Sequence, residues 1–103
     1  MVSTSVESDT VKVVLVGELD VATVSELMAA TEQLEPFPHP VTVDFEGLSF
    51  LDSAGLRALL SLRERAERDT ARRVRLLHVN DEQRRLLTIC GVLDSFDVES
   101  TDS

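Results

Sequence analysis

Apolar residues change their spacing several times along this chain, and each change marks an element. Val11 to Val16 is a β-branched run ending at Gly17, and it predicts a strand. A weaker strand over Ser3 to Glu7 precedes it. The turn residues Ser8-Asp9-Thr10 between them predict a hairpin. The period then lengthens. Val24, Leu27, Met28, Thr31 and Leu34 fall at i, i+3, i+4 and i+7, as on one face of a helix, so Met28 reads as core. Thr23 and Glu26 have the spacing of a capping box at its start. Pro36, Pro38 and Pro40 stop this helix and stiffen the connection, with His39 exposed among them.

A second strand-to-helix passage follows. Val41 to Phe45 reads as a strand, and Leu48, Phe50 and Leu51 carry apolar character up to the next helix. That helix starts near Ser53 and runs to about Arg68, with Leu56, Leu59, Leu62 and Ala66 as its apolar stripe. Its Arg and Glu residues form a solvated face, with Glu64 and Arg68 at the i, i+4 spacing of an ion pair. Val74 to Val79 predicts a further buried strand, in which His78 is a satisfied core or sheet-edge residue. Asn80 with Gln83 starts a third helix carrying Leu86, Leu87 and Cys90, and Gly91 is its C-cap. Leu93 to Val98 forms a last short strand, and residues 99–103 fray. The order β-β-α-β-α-β-α-β predicts an α/β fold with a mixed sheet and mostly parallel inner strands. Sites in such sheets gather at the carboxyl ends of strands. Here those ends lead into Gly17-Glu18-Leu19-Asp20 and Leu51-Asp52-Ser53-Ala54-Gly55.

Composition narrows the function classes. At 103 residues the chain has the length of one domain, 1–103, with room for one modest core. A net charge of −9 argues against nucleic acid, which needs clustered Lys and Arg, and against anionic membrane surfaces. The N-terminal residues lack the pattern of a secretory signal, and no apolar run approaches ~18 residues, so a cytoplasmic location is expected. The single cysteine, Cys90, has no neighbour suggesting a metal site and reads as a small buried hydrophobe. The expectation is no metal, no cofactor and no catalytic residue.

Ser53 is the candidate for chemistry, and its neighbours allow several roles. Asp52 or Ser53 would cap the helix at ~1 kcal/mol, but a cap does not explain Gly55, which costs ~1 kcal/mol against alanine inside a helix. A serine hydrolase elbow would place glycine where Leu51 stands, and neither His39 nor His78 lies where the base of such a triad belongs. An acyl carrier protein also bears a modified serine after aspartate, but those proteins are all-helical. This chain has at least three strand-like runs.

Gly17-Glu18-Leu19-Asp20, followed by a helix and then by Leu48-Ser49-Phe50-Leu51-Asp52-Ser53-Ala54-Gly55-Leu56, closely resembles the STAS-domain anti-sigma factor antagonists. Val92-Leu93-Asp94-Ser95-Phe96 resembles that family's last helix-to-strand passage, so the likeness spans essentially the whole chain. The resemblance implies a STAS-like sandwich, a mixed four- to five-stranded sheet with three or four helices packed mainly on one face. It implies phosphorylation of Ser53 by a partner that is both anti-sigma factor and serine kinase, with a serine phosphatase to reverse it. The unphosphorylated form would bind that partner and release its sigma factor. Glu18, Asp20, Val21, Asp52, Ala54, Gly55 and Leu56 would form the partner-binding face of a monomer or weak dimer. Many family members carry a second Ser or Thr after the phosphosite; here it is Ala54, which leaves Ser53 as sole acceptor. A STAS scaffold or sensory module whose serine is never modified is the rival function.

Overall fold

The computed structural model of the chain describes residues 1–99; the expected fraying of 100–103 lies outside the described residues. Strand β1 (Val2–Val6) pairs antiparallel with β2 (Val11–Leu19), and the Glu7 amide donates to the Thr10 carbonyl at 2.8 Å to close the hairpin. Helix α1 (Val24–Glu32) leads to β3 (Val41–Leu51), α2 (Ser53–Thr70) to β4 (Arg75–Leu77), and α3 (Asp81–Ile89) through a 3-10 turn (Leu93–Ser95) to β5 (Asp97–Val98). The five strands lie in the order β1-β2-β3-β4-β5, and every pair after the hairpin is parallel. Parallel neighbours need crossovers, and crossovers are right-handed. Three crossovers advancing in one direction therefore place α1, α2 and α3 on the same face.

Alternation along the strands follows from that layering. Val11, Val13 and Leu15 of β2, Val41, Val43 and Phe45 of β3, and Leu76 of β4 face the helices and are essentially inaccessible. Leu27 of α1, Leu59, Leu62 and Ala66 of α2 and Leu87 of α3 close the core over them. The opposite sheet face carries Lys12, Thr42, Asp44, Arg75 and Leu77, and no helix among the described residues covers it. Met28 packs against the core edge, as its spacing predicts.

Several local expectations are corrected. Strand β2 does not end at Gly17. The residue takes a φ of 89°, forms part of an irregularity in the β2–β3 register, and the strand continues to Leu19. The Ser49 hydroxyl donates to the Gly17 carbonyl at 3.0 Å and holds this bulge. Strand β4 spans only Arg75–Leu77, because His78 adopts a left-handed φ of 59° and turns the chain out of the sheet. Helix α2 pairs Arg63 with Glu67 at 3.3 Å and Arg65 with Glu35, rather than Glu64 with Arg68. Glu99 is not frayed from the sheet: its amide donates to the Leu76 carbonyl at 3.0 Å. Cys90 is exposed, because α3 turns its face inward through Leu87 and leaves Ile89 and Cys90 outside. The Gly91 cap forms as expected, with Val92 N–H donating to the Leu87 carbonyl at 2.9 Å.

No helix among the described residues is long and apolar enough to cross a membrane.

Candidate functional site

Parallel pairing brings the two motif loops together. Leu19 and Leu51 are register partners at the carboxyl ends of β2 and β3, so Asp20 and Asp52 are the first residues beyond adjacent strand ends. Each aspartate then organises the segment that follows it. Asp20 Oδ1 accepts from Ala22 N at 3.0 Å and from Thr23 N at 3.2 Å. Thr23 takes the N-cap position of α1, but its hydroxyl makes no cap bond there. It accepts from Asp20 N at 2.9 Å and donates to the Glu18 carbonyl at 2.9 Å, so the expected Thr23–Glu26 capping box is replaced by an aspartate-centred turn.

Asp52 is the N-cap of α2. Its Oδ1 accepts from Gly55 N at 2.9 Å and its carbonyl accepts from Leu56 N at 2.9 Å. Ser53 is consequently the first helical residue rather than the cap. Its side chain is exposed and makes no hydrogen bond among the described residues. It stands at the positive end of an 18-residue helix, where first-turn N–H groups and the helix dipole favour an anion.

The residues expected to face a partner separate into two sets. Val21 is 76% exposed, Glu18 is exposed, and Asp20, Asp52 and Ala54 are half-buried at the rim. Leu56 is 3% exposed and Gly55 is buried; both point inward. The glycine answers an internal demand. A Cβ on Gly55 would approach Leu51 Cδ1 to 2.9 Å and the Leu19 carbonyl carbon to 3.0 Å. Its small size therefore admits the end of β2, and Leu56 belongs to the core rather than to the binding face.

One residue that the sequence did not assign to the surface extends it, and a buried one fixes the wall beside it. Phe50, register partner of Glu18, is 48% exposed. A groove of about 200 Å³ runs between Ser49-Phe50-Leu51 and the capping Asn80 with Glu82, Gln83 and Leu86 of α3. Gln83 fixes this wall. It completes a capping box with Asn80, and its Nε2 donates to the Leu48 carbonyl at 3.1 Å, tying α3 to β3 while 5% exposed. Unbroken alternation from inward Leu48 would have turned Phe50 inward; the register shift that pairs Gly17 with Leu48 and Glu18 with Phe50 skips Ser49 and leaves Phe50 exposed, so the sequence pattern did not mark it.

Comparison with known proteins agrees with this architecture. The family described as "Mlab, STAS domain" matches residues 2–97. Among solved structures, the anti-sigma factor antagonist SpoIIAA in its unphosphorylated form aligns at a TM-score of 0.76 and 24% identity, covering 99% of this chain and 90% of that one. An anti-sigma factor antagonist from Mycobacterium paratuberculosis aligns at 0.84 and 22%, covering 98% and 86%. The Bacillus cell fate determinant SpoIIAA in the phosphorylated form aligns at 0.73 and 25%, covering 98% and 93%. No curated protein matches the chain in sequence. With the family match reaching from the first strand into the last, over the same mixed sheet and helix order, the chain belongs to the STAS domain family.

Proposed function

We propose that this chain is an anti-sigma factor antagonist, a non-catalytic binding module switched by phosphorylation of Ser53. The observation that carries the reading is the placement of Ser53. It is an exposed hydroxyl, without a hydrogen bond among the described residues, on the first residue of α2, beside Asp52 and next to the loop headed by Asp20. A kinase reaches such a hydroxyl without unfolding anything. A phosphate added there gains ≈ −1.5 to −2 charges. The helix N-terminus stabilises that charge within the domain.

The same charge is costly in a complex. Glu18, Asp20, Val21, Asp52 and Ala54 form the partner-binding face, with Phe50 added to its apolar part. The unphosphorylated face offers apolar Val21 and Phe50 between carboxylates, and it binds an anti-sigma factor with serine kinase activity, releasing the sigma factor. Phosphoserine beside Asp20 and Asp52 concentrates like charge. Burying it unpaired against a partner costs several kcal/mol. The switch is therefore local electrostatics rather than a change of fold, and a serine phosphatase would restore binding.

Incubation with an anti-sigma kinase of the same organism and ATP, followed by phosphosite mapping by mass spectrometry, tests the assignment. The expected product carries one phosphate, on Ser53, and Ser53→Ala stays unmodified. Phosphate on another residue, or full modification of Ser53→Ala, overturns it. A chain that stays unmodified and assembles with itself fits the scaffold function instead.

A further inference from the structure

The uncovered sheet face holds three metal-ligating side chains outside the Ser53 site. Asp44 and Glu46 project from alternate positions of β3, and His78 stands on the turn that ends β4, next to Leu77, the register partner of Asp44. One donor atom from each lies within 4.8 Å of the other two. His78 Nδ1 is 2.8 Å from Asp44 Oδ1 and 3.6 Å from Glu46 Oε2.

We propose that Asp44, Glu46 and His78 form a surface site for a divalent transition metal of borderline softness, with Zn²⁺ as its reference ion. The donor set decides the class. An imidazole nitrogen with two carboxylates suits Zn²⁺, Co²⁺ or Ni²⁺, whereas Mg²⁺ and Ca²⁺ prefer oxygen alone. Three protein ligands leave an open position for water. The proton on Nδ1 that bridges to Asp44 occupies the place of the cation. On binding, the Nδ1 lone pair coordinates the metal, the displaced proton leaves to solvent or moves to Nε2, and the carboxylates accept no new proton.

Orientation is already supplied. Asp44 is 8% exposed, and its Oδ1 accepts from Glu46 N at 2.9 Å, which holds the carboxylate toward His78. Glu46 is exposed and free to swing onto the ion. Lys12 Nζ lies 3.9 Å from Asp44 Oδ2, whereas His78 bonds Oδ1. The lysine offsets part of the Asp44 charge.

Zn²⁺ titration of the untagged full chain, read by calorimetry and by the side-chain resonances of ¹⁵N-labelled histidine, tests the site. The expected result is 1:1 binding that shifts His78 Nδ1, leaves His39 unmoved, and weakens ~10-fold or more in His78→Ala and in Glu46→Gln. Both residues are exposed, so circular dichroism should show both variants folded. Cys90→Ser should bind as the parent does. Absence of 1:1 binding, binding unchanged in His78→Ala, or binding lost in Cys90→Ser would each overturn the proposal.

Discussion

The first turn of α2 presses Gly55 against the carbonyl of Leu19, so that the strand end of β2 and the helix that presents Ser53 share one backbone contact. An added methyl would also meet Leu51 Cδ1 at 2.9 Å. Gly55→Ala gains about 1 kcal/mol of helix propensity. The clash with backbone outweighs it, at ~1–3 kcal/mol or more of overpacking. A net loss of stability in urea unfolding is expected. A stabilised Gly55→Ala would show that the contact is loose.

Gln83 is the second fixed point of the site. Its amide bonds the Asn80 backbone and the Leu48 carbonyl from a buried position. Gln83→Leu removes both and leaves the Leu48 carbonyl unsatisfied, which costs ~1–3 kcal/mol. Amide exchange should accelerate first in α3. A stability equal to the parent would contradict this anchoring.

Much of this was legible in the sequence, for identifiable reasons. Strand and helix periodicity gave the element order, because one buried face forces period two on β2 and period 3.6 on α2. The Asn80–Gln83 cap and the Gly91 cap were readable because their bonds are local. What depended on distant residues was not. The inward role of Gly55 comes from Leu19, thirty-odd residues earlier in the chain but paired with Leu51 in space. Thr23 lost its cap role to Asp20, since a tight strand exit let the aspartate reach two amides first. Cys90 looked buried by type, yet the rotation of α3 set by Leu87 and Gln83 turned it outward. Asp44 and His78 meet only through the β3–β4 register.

Stability should depend on pH through that last pair. The Asp44 hydrogen bond holds the His78 pKa above its ordinary 6.5, partial desolvation opposes it, and the charges of Asp44, Glu46 and Glu99 add to the rise. For Asp44, burial pushes the carboxyl up. The Glu46 amide, the His78 hydrogen bond and the charges of His78 and Lys12 prevail and hold it below its ordinary 3.8. A raised histidine contributes stability that is complete below 6.5 and is lost as pH rises through its folded value. A depressed carboxylate contributes above 3.8 and loses it as pH falls through its folded value. In EDTA, stability should therefore be greatest between those two ordinary values and decline above 6.5, with the upper decline flattened in His78→Ala. An unchanged upper limb in His78→Ala would contradict the pairing.

Asp52→Ala separates the cap from the switch. It removes the bond to Gly55 N and should cost ~0.5–2 kcal/mol, seen as a lower Tm. Asp52→Asn keeps a capping oxygen and removes a charge from the binding face. It should retain most of the stability while softening the effect of Ser53 phosphorylation on partner affinity. Equal losses of stability in both variants would mean that Asp52 acts through its charge alone.

A phosphate on Ser53 should abolish partner binding without disturbing the fold. The most direct test is the affinity of the unphosphorylated and Ser53-phosphorylated forms for the same anti-sigma kinase, measured beside their unfolding curves. The expected result is a loss of affinity of roughly 100-fold, equivalent to about 3 kcal/mol, with unfolding free energies within about 1 kcal/mol of each other. Equal affinities of the two forms, or a phosphorylated form that unfolds markedly more easily, would contradict it.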